Sequence, residues 1–293
     1  IPSKNKFIVS SRSFVKDQLD VEDKIRSILS NNGFNEHYSN SLYNKNDVKF
    51  FNHTFGEAIE IKNPLSNDMK FLRNSLIPGI LRALSFNEKR EQDYIKFYEI
   101  GSISRISNKT HSNSQERREL NIAYLGSKEY SWKNKQNFDI FDVKGDINML
   151  CNNLGLYNIK YEEGNEGIIS IIINNKNIGF VSYLNTNYKK YYDIYRDVII
   201  VNLRIDSLIA LCENNSFFFK KISPYPTVTR DIAILIDISI KNEEIINIIK
   251  KSTSNILSSI KLFDIYQDKY LGKNTKSLAY SLRFQSLDRT LKI

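Results

Sequence analysis

Asp264 and Tyr266 stand two residues apart in "KLFDIYQ", and Ser277, Ala279, Ser281 and Arg283 alternate through "KSLAYSLRFQSL". Successive side chains of an extended chain point to opposite faces, so each stretch reads as a strand with two unlike sides. Leu278, Tyr280, Leu282 and Phe284 go to a core. Phe263 and Ile265 are expected to be buried with them, which puts Asp264 and Tyr266 outside. The outer face then holds a phenol ring, a carboxylate, hydroxyls and a guanidinium. A nucleobase can stack on such a ring while its edge bonds to the polar groups, as single-stranded RNA is read on open sheets. An ordinary solvated sheet face has the same pattern.

The elements that must hold this face begin near Lys220. "SPYPTVTRDIAILIDISI" enters a strand through two prolines. "NEEIINIIKKSTSNILSSI" reads as one helix with Ile245, Ile248, Ile249, Ile256 and Leu257 on its buried side. "KLFDIYQ" and the alternating stretch supply two more strands. The order β-α-β-β is three quarters of a ferredoxin-like β-α-β-β-α-β unit, whose helices cover one sheet face and leave the other open.

Upstream, residues 1–17 are polar and irregular and read as a linker. "DVEDKIRSILSNNGF" places Val21, Ile25, Ile28 and Leu29 at helical spacing, with Gly33 where a left-handed cap is needed. "EAIEIK" over 57–62 reads as a short strand. After a turn at Asn63-Pro64, Ser66 or Asn67 is expected to cap a helix over 67–84, with Asp68 in its first turn and Pro78 breaking or restarting it. "IKFYEIGSISR" and "ELNIAYLG" are strands, and "VKGDINMLCNNLGL" is a helix over 144–154. "EGIISIIINNKNIGFVSYL" is a hairpin turning at Asn174 to Asn177, and "DVIIVNLRIDSLIAL" is a strand and a short helix. The fold class expected is α+β, with residues 18–215 forming an antiparallel sheet with helices and 220–293 a second domain.

Composition bounds the chemistry. A formal net charge of +9 suits a polyanion partner, although it also serves solubility. Cys151 and Cys212 are each alone in apolar surroundings, which excludes a disulfide framework and fits a reducing cytoplasm. His37, His53 and His111 stand far apart beside no ligand cluster, against a zinc site. The longest apolar runs, "DVIIVNL" and "IAILIDISI", are strand-sized, so no membrane span is expected. No signal peptide is visible, and a start at Ile1 without Met is expected of a piece of a longer protein. "LGKNTKS" lacks the first Gly and the Ser/Thr of a phosphate-binding loop, and "EIGSIS" lacks the second Gly of a nucleophile elbow.

Five blocks in order, "NPLSNDMKFLRNSLIPGILRALSFN", "FYEIGSIS", "FDIFDVKGDINMLCNNLGL", "YPTVTRDIAILID" and "LFDIYQDKYLGKNTKSLAYSLRFQSLDRTL", resemble landmarks of the bacterial phenylalanyl-tRNA synthetase beta subunit across nearly the whole chain. The resemblance implies a class II synthetase-like domain that is catalytically silent, then a ferredoxin-fold anticodon-binding domain. It implies an alpha subunit holding the aminoacylation site in an (αβ)2 heterotetramer, with tRNA(Phe) as the nucleic-acid partner, and no DNA or membrane. ATP and Mg2+ would serve the whole enzyme through ligands outside this chain, and Ile1-Pro2 resembles the exit of an upstream helix-turn-helix-like domain. Class II sites hold the ATP α-phosphate with an Arg of the form Phe-Arg-x-Glu, a bidentate task for a guanidinium. Tyr98 stands at the comparable place, and "VKGDINML", compared with the second class II arginine motif, has a Lys and no Arg. No adenylation by this chain is therefore expected.

Carried onto matching positions, the resemblance implies that Asp264 hydrogen-bonds the first anticodon base, that Tyr266 stacks on it, and that Ser277 reaches the same nucleotide. Lys276 and Arg283 are candidate phosphate contacts. Arg230 and Arg289 are candidate fold anchors, pairing with Asp231 or Asp288. Helices 67–84 and 144–154 are candidate contacts for the alpha subunit, or internal core. The family's domain continues past Leu291 into a second helix and fourth strand, so the last domain is expected to be C-terminally incomplete. The alternative function is a stand-alone RNA-binding adaptor built from the same domains.

Overall fold

The computed structural model describes residues 18–106, 114–128, 136–213, 222–253, 256–267, 272 and 274–291. Residues 1–17, read as a linker, and His111 lie outside them, as does the side chain of His53. The chain divides into two compact units, Ile1–Phe217 and Phe218–Ile293.

In the first unit, α1 (Gln18–Asn31) buries Val21, Ile25 and Leu29 at four-residue spacing and ends at Gly33, whose φ of +79° only glycine adopts without cost. Then come β1 (Asn35–Glu36), β2 (Leu42–Tyr43), α2 (Lys45–Phe55) and β3 (Phe71–Leu72), which pairs with β2. The helix α3 (Ile77–Glu88) follows, then the long strands β4 (Tyr94–Ile106) and β5 (Ser114–Gly126), and α4 (Ile140–Asn153). Asp139 caps α4 by accepting from Phe141 N and Asp142 N, while Asp142 accepts from Asp139 N in return. The strands β6 (Lys160–Glu163), β7 (Ile169–Ile173) and β8 (Lys176–Tyr183), helix α5 (Thr186–Tyr192), strand β9 (Val198–Arg204) and helix α6 (Ile205–Glu213) complete the unit. Asn174 and Asn175, both with φ near +55°, make the tight turn between β7 and β8.

The seven-stranded sheet runs β1-β4-β5-β9-β8-β7-β6, antiparallel except for β1 beside β4. Its central strands are covered on both faces. On one face α1, α4 and α6 pack on Tyr98, Ile100, Leu120, Ile122, Val201 and Leu203. On the other, α3 packs on Ile95, Ala123, Leu125, Val198 and Ile200. Burial on both faces explains why "NIAYLG" and "VIIVNL" read as near-continuous apolar runs. Cys151 and Cys212 are buried free thiols, and burial pushes Cys151 up to about 12.

Three element expectations are corrected. Residues 57–62 form no strand: Glu60 makes a single bridge to Phe71, because the partner β3 is only two residues long. The helix expected over 67–84 is a short 3-10 turn at Asn67–Met69, the strand β3, and a helix that starts at Ile77. Pro78 sits in its first turn, where a missing N–H costs nothing, and Ser75 Oγ accepts from Ile77 N at 3.1 Å. The helix expected through residue 260 ends at Ser252, and a strand starts at Leu257, directly after Ile256. Ser252 and Thr253 hydroxyls both bond back to Ile249 O, at 3.1 and 2.6 Å, and compete with further helix.

The second unit contains β10 (Val228–Asp237), α7 (Asn242–Ser252), β11 (Leu257–Tyr266) and β12 (Thr275–Phe284). Its sheet runs β10-β12-β11 with β12 antiparallel to both neighbours. Ile245 and Ile249 of α7 pack on Ile236, Leu278, Tyr280 and Leu282. None of the described helices is long and apolar enough to cross a membrane.

Candidate nucleic-acid interface

Residues directly opposite one another in an antiparallel pair project to the same sheet face. Tyr280 and Leu278 face α7, so their partners Ile232 and Ile234 on β10 do too, as does Leu262 on β11. The opposite face is built from four rows across β10, β12 and β11: Leu235–Ser277–Tyr266, Ala233–Ala279–Asp264, Asp231–Ser281–Lys261 and Thr229–Arg283–Ser259. Every residue of these rows is half-buried or exposed, and Tyr266 is 49% exposed. Asp264, Tyr266, Ser277 and Arg283 thus share one face.

The reason differs from the sequence expectation. Phe263 and Ile265 are 54% and 58% exposed, so they are not the buried partners expected. Leu262 is the residue of β11 that packs toward α7. Strict alternation from Leu262 would turn Asp264 and Tyr266 toward the helix. A β-bulge between Leu262 and Asp264 inserts Phe263 and resets the parity. Ile265 is paired with Leu278 on the helix side, but among the described residues only α7 covers that side.

Lys276 is on the other face. It pairs with Ile236 of the core, and its Nζ donates to Ile238 O and Ile240 O at 2.8 and 2.7 Å. This geometry makes it a clamp on the turn after β10. Lys276→Met is expected to cost about 1–2 kcal/mol of stability in the second unit through the two lost charge-assisted bonds. RNA affinity should stay within about twofold; thermal melting and a binding titration on the same variant check both. Arg230 Nη1 reaches Thr229 O at 3.5 Å, and as neighbours in one strand Arg230 and Asp231 point to opposite faces, so they do not pair as expected.

Sequence reading missed Leu235 and Lys261. Leu235 is 61% exposed, and its signal was the parity of "IAILID", which puts Ala233 and Leu235 opposite the core isoleucines. Lys261 adds a cation opposite Ser281. Residues 218–293 hold thirteen Lys and Arg against seven Asp and Glu, a net +6 of the whole chain's +9. The small unit therefore carries most of the field that would draw a phosphate backbone.

Among the described residues, the places in the first unit compared with a class II site hold no comparable set. Tyr98 is fully buried, its hydroxyl 3.1 Å from Ser30 Oγ, and burial raises its pKa; it presents no cation to a phosphate. Glu99 beside it is tied to Arg73 and Ser39. Gly145 of "VKGDINML" lies inside α4 and not at a strand–helix junction. At the step from β9 to α6, Arg204 Nη2 is held by the Asn177 carbonyl. Gly101 and Ser102 of "EIGSIS" are mid-strand in β4. No group of three or more His, Cys, Asp or Glu among the described residues is placed to hold a metal.

Two solved structures share this fold over two thirds of the chain. Pyrrolysyl-tRNA synthetase from Desulfitobacterium hafniense aligns with TM-score 0.53 and 14% identity, covering 67% of this chain and 69% of that one. A second structure of that organism's pyrrolysyl-tRNA synthetase, PylSc, gives TM-score 0.53 and 15% identity over 67% and 68%. At such identity the likeness is one of fold: mixed α/β, of the tRNA-synthetase kind. Sequence carries the assignment further. The phenylalanyl-tRNA synthetase beta chain CLM domain matches residues 1–205, and the ferredoxin-fold anticodon binding domain matches residues 223–292. The chain belongs to the phenylalanyl-tRNA synthetase beta chain family. It is 32% identical over 278 residues to the phenylalanine–tRNA ligase beta subunit of Francisella tularensis, covering 92% of this chain and 34% of that protein. It is 32% identical over 279 residues to that of Dehalococcoides mccartyi strain CBDB1, with the same coverage. The chain thus spans about a third of the length of these curated relatives.

Proposed function

We propose that this chain is the portion of a phenylalanine–tRNA ligase beta subunit that supports a catalytic alpha subunit and binds the tRNA(Phe) anticodon. The observation that carries the reading is the open sheet face on which Asp264, Tyr266 and Ser277 converge. A phenol ring stacks on any base. A carboxylate only accepts, so Asp264 favours a base edge rich in N–H donors, such as that of guanine, while the Ser277 hydroxyl can donate or accept. Arg283, exposed on the same face, supplies a phosphate contact.

In this reading the first unit is a class II synthetase-like domain without adenylation chemistry, and the second is a ferredoxin-like anticodon binder. The residues present do not fit an ATP site, since the place compared with the α-phosphate arginine is the buried, neutral Tyr98. ATP and Mg2+ belong to the assembled ligase, an (αβ)2 heterotetramer working in the cytoplasm. The apolar stripes of α3 and α4, the helices expected over 67–84 and 144–154, are consumed by the unit's own cores. Co-expression with a phenylalanine–tRNA ligase alpha subunit tests the assembly. A stable stoichiometric complex through size-exclusion chromatography is expected; clean separation of the two chains contradicts it and favours an adaptor that acts alone.

A further inference from the structure

The open face is asymmetric along its rows. Two exposed large apolar side chains of this face, Tyr266 and Leu235, lie in one row on the two outer strands, with Ser277 paired between them. The next row has Ala233 and Ala279 beside Asp264, so small side chains leave the floor low there. Adjacent strands are about 4.8 Å apart, which sets Leu235 and Tyr266 about 10 Å apart across β12. A base about 3.4 Å thick, in contact on both its faces, needs about 7 Å between the planes that flank it. The width left once the two side chains are in place admits one base standing on edge, and not two.

We propose that Leu235 is the second wall of a slot one base wide, with Tyr266 as the first wall and Ser277 as its floor. The inference rests on the anticodon-binding reading and adds to it how the base is held: clamped on both faces, with its edge down toward Ser277 and Asp264. The occupant is an unpaired nucleobase of an RNA. The +6 charge of this unit favours a polyanion, and a Ser hydroxyl on the floor with an Asp carboxylate beside it matches a base edge better than an apolar peptide side chain. A solvated leucine on an otherwise polar sheet face gains burial only when such a partner arrives.

The test uses this chain and two forms of an anticodon stem-loop, one intact and one abasic at the first anticodon position. Affinities of Leu235→Ala, Leu235→Phe and Tyr266→Ala are read by fluorescence anisotropy. Leu235 is largely exposed, so these variants should keep their folds, which far-UV circular dichroism checks. Leu235→Ala is expected to weaken the intact loop about three- to tenfold, and Leu235→Phe to hold or improve it. Neither should change affinity for the abasic loop, which a merely structural role would not predict. If Tyr266→Ala weakens the intact loop and Leu235→Ala does not, the slot is overturned while the anticodon reading stands. If neither variant changes anything, both are overturned.

Discussion

Glu99→Ala is expected to destabilise the first unit by about 3–5 kcal/mol, as removal of one partner of a buried ion pair does. The carboxylate is 1% exposed and its partner Arg73 8%. Arg73 Nη1 lies 2.7 Å from Glu99 Oε1, the Ser39 hydroxyl is 2.7 and 2.9 Å from the two carboxylate oxygens, and Ser39 N donates at 3.2 Å. Arg73 Nε also donates to Ser102 O at 2.8 Å. Gly101 leaves the room this guanidinium occupies, since a methyl group there would overlap Arg73 Nη2. Without the carboxylate the guanidinium stays buried with only neutral acceptors, the Ser102 and Ser39 carbonyls and the Ser39 hydroxyl, and that uncompensated charge dominates the cost. The pair itself is worth much less, because its attraction is offset by desolvation. Glu99→Met combined with Arg73→Leu should therefore recover a large part of the loss. Urea unfolding followed by far-UV circular dichroism reads both variants. A loss below about 1 kcal/mol for Glu99→Ala would show that the network does not hold β4 to the segment before α3.

Gly126→Ala should cost about 2–4 kcal/mol, for two separate reasons. The residue has φ +88°, in the left-handed region, and a methyl group there would overlap the Asp93 carbonyl oxygen. That oxygen cannot retreat without losing its bond from Ser127 N at 2.8 Å, which closes the sheet end where β4 and β5 meet. Gly145 is the internal control. It lies inside α4, with nothing within 4 Å of where a Cβ would sit. Gly145→Ala is expected to stabilise by about 0.5–1 kcal/mol, since alanine gives up less chain entropy in a helix. The same urea titration compares the two. Equal effects would mean that composition, and not local backbone geometry, sets the cost.

Much of this fold is legible because its local signals agree. Val21, Ile25 and Leu29 with Gly33 after them define α1, and Asn174 and Asn175 define the β7–β8 turn. The failures share a cause. Ser66, Asn67 and Asp68 are good capping residues, but the following Phe71–Leu72 pairs with β2, so the helix waits until Ile77. Ile256 and Leu257 continue the helical spacing of α7, and sheet pairing claims Leu257 for β11. Both are tertiary pairings that outbid local propensity, and a single sequence does not display its partners. On the candidate face, simple alternation from a buried Phe263 puts Asp264 and Tyr266 outside, and the structure reaches the same face by another route. Leu262 and not Phe263 enters the core, and a bulge that no residue type announces restores the parity. Lys276 is a cation next to the site in sequence, but strand parity assigns it to the opposite face from Ser277.

The central claim, that the open face of β10, β12 and β11 reads the first anticodon base, is tested most directly by a double-change cycle. Anisotropy titrations of this chain with a phenylalanine-type anticodon stem-loop are run with the first anticodon base removed (an abasic site), with Tyr266→Ala, and with both, across a salt series. A stacked base is worth about 1–3 kcal/mol, so each single change should weaken binding about five- to a hundredfold. The two together should be little worse than either, because they remove the same contact. Steep salt dependence with indifference to both changes would contradict the account: the chain would then attract RNA through phosphate alone.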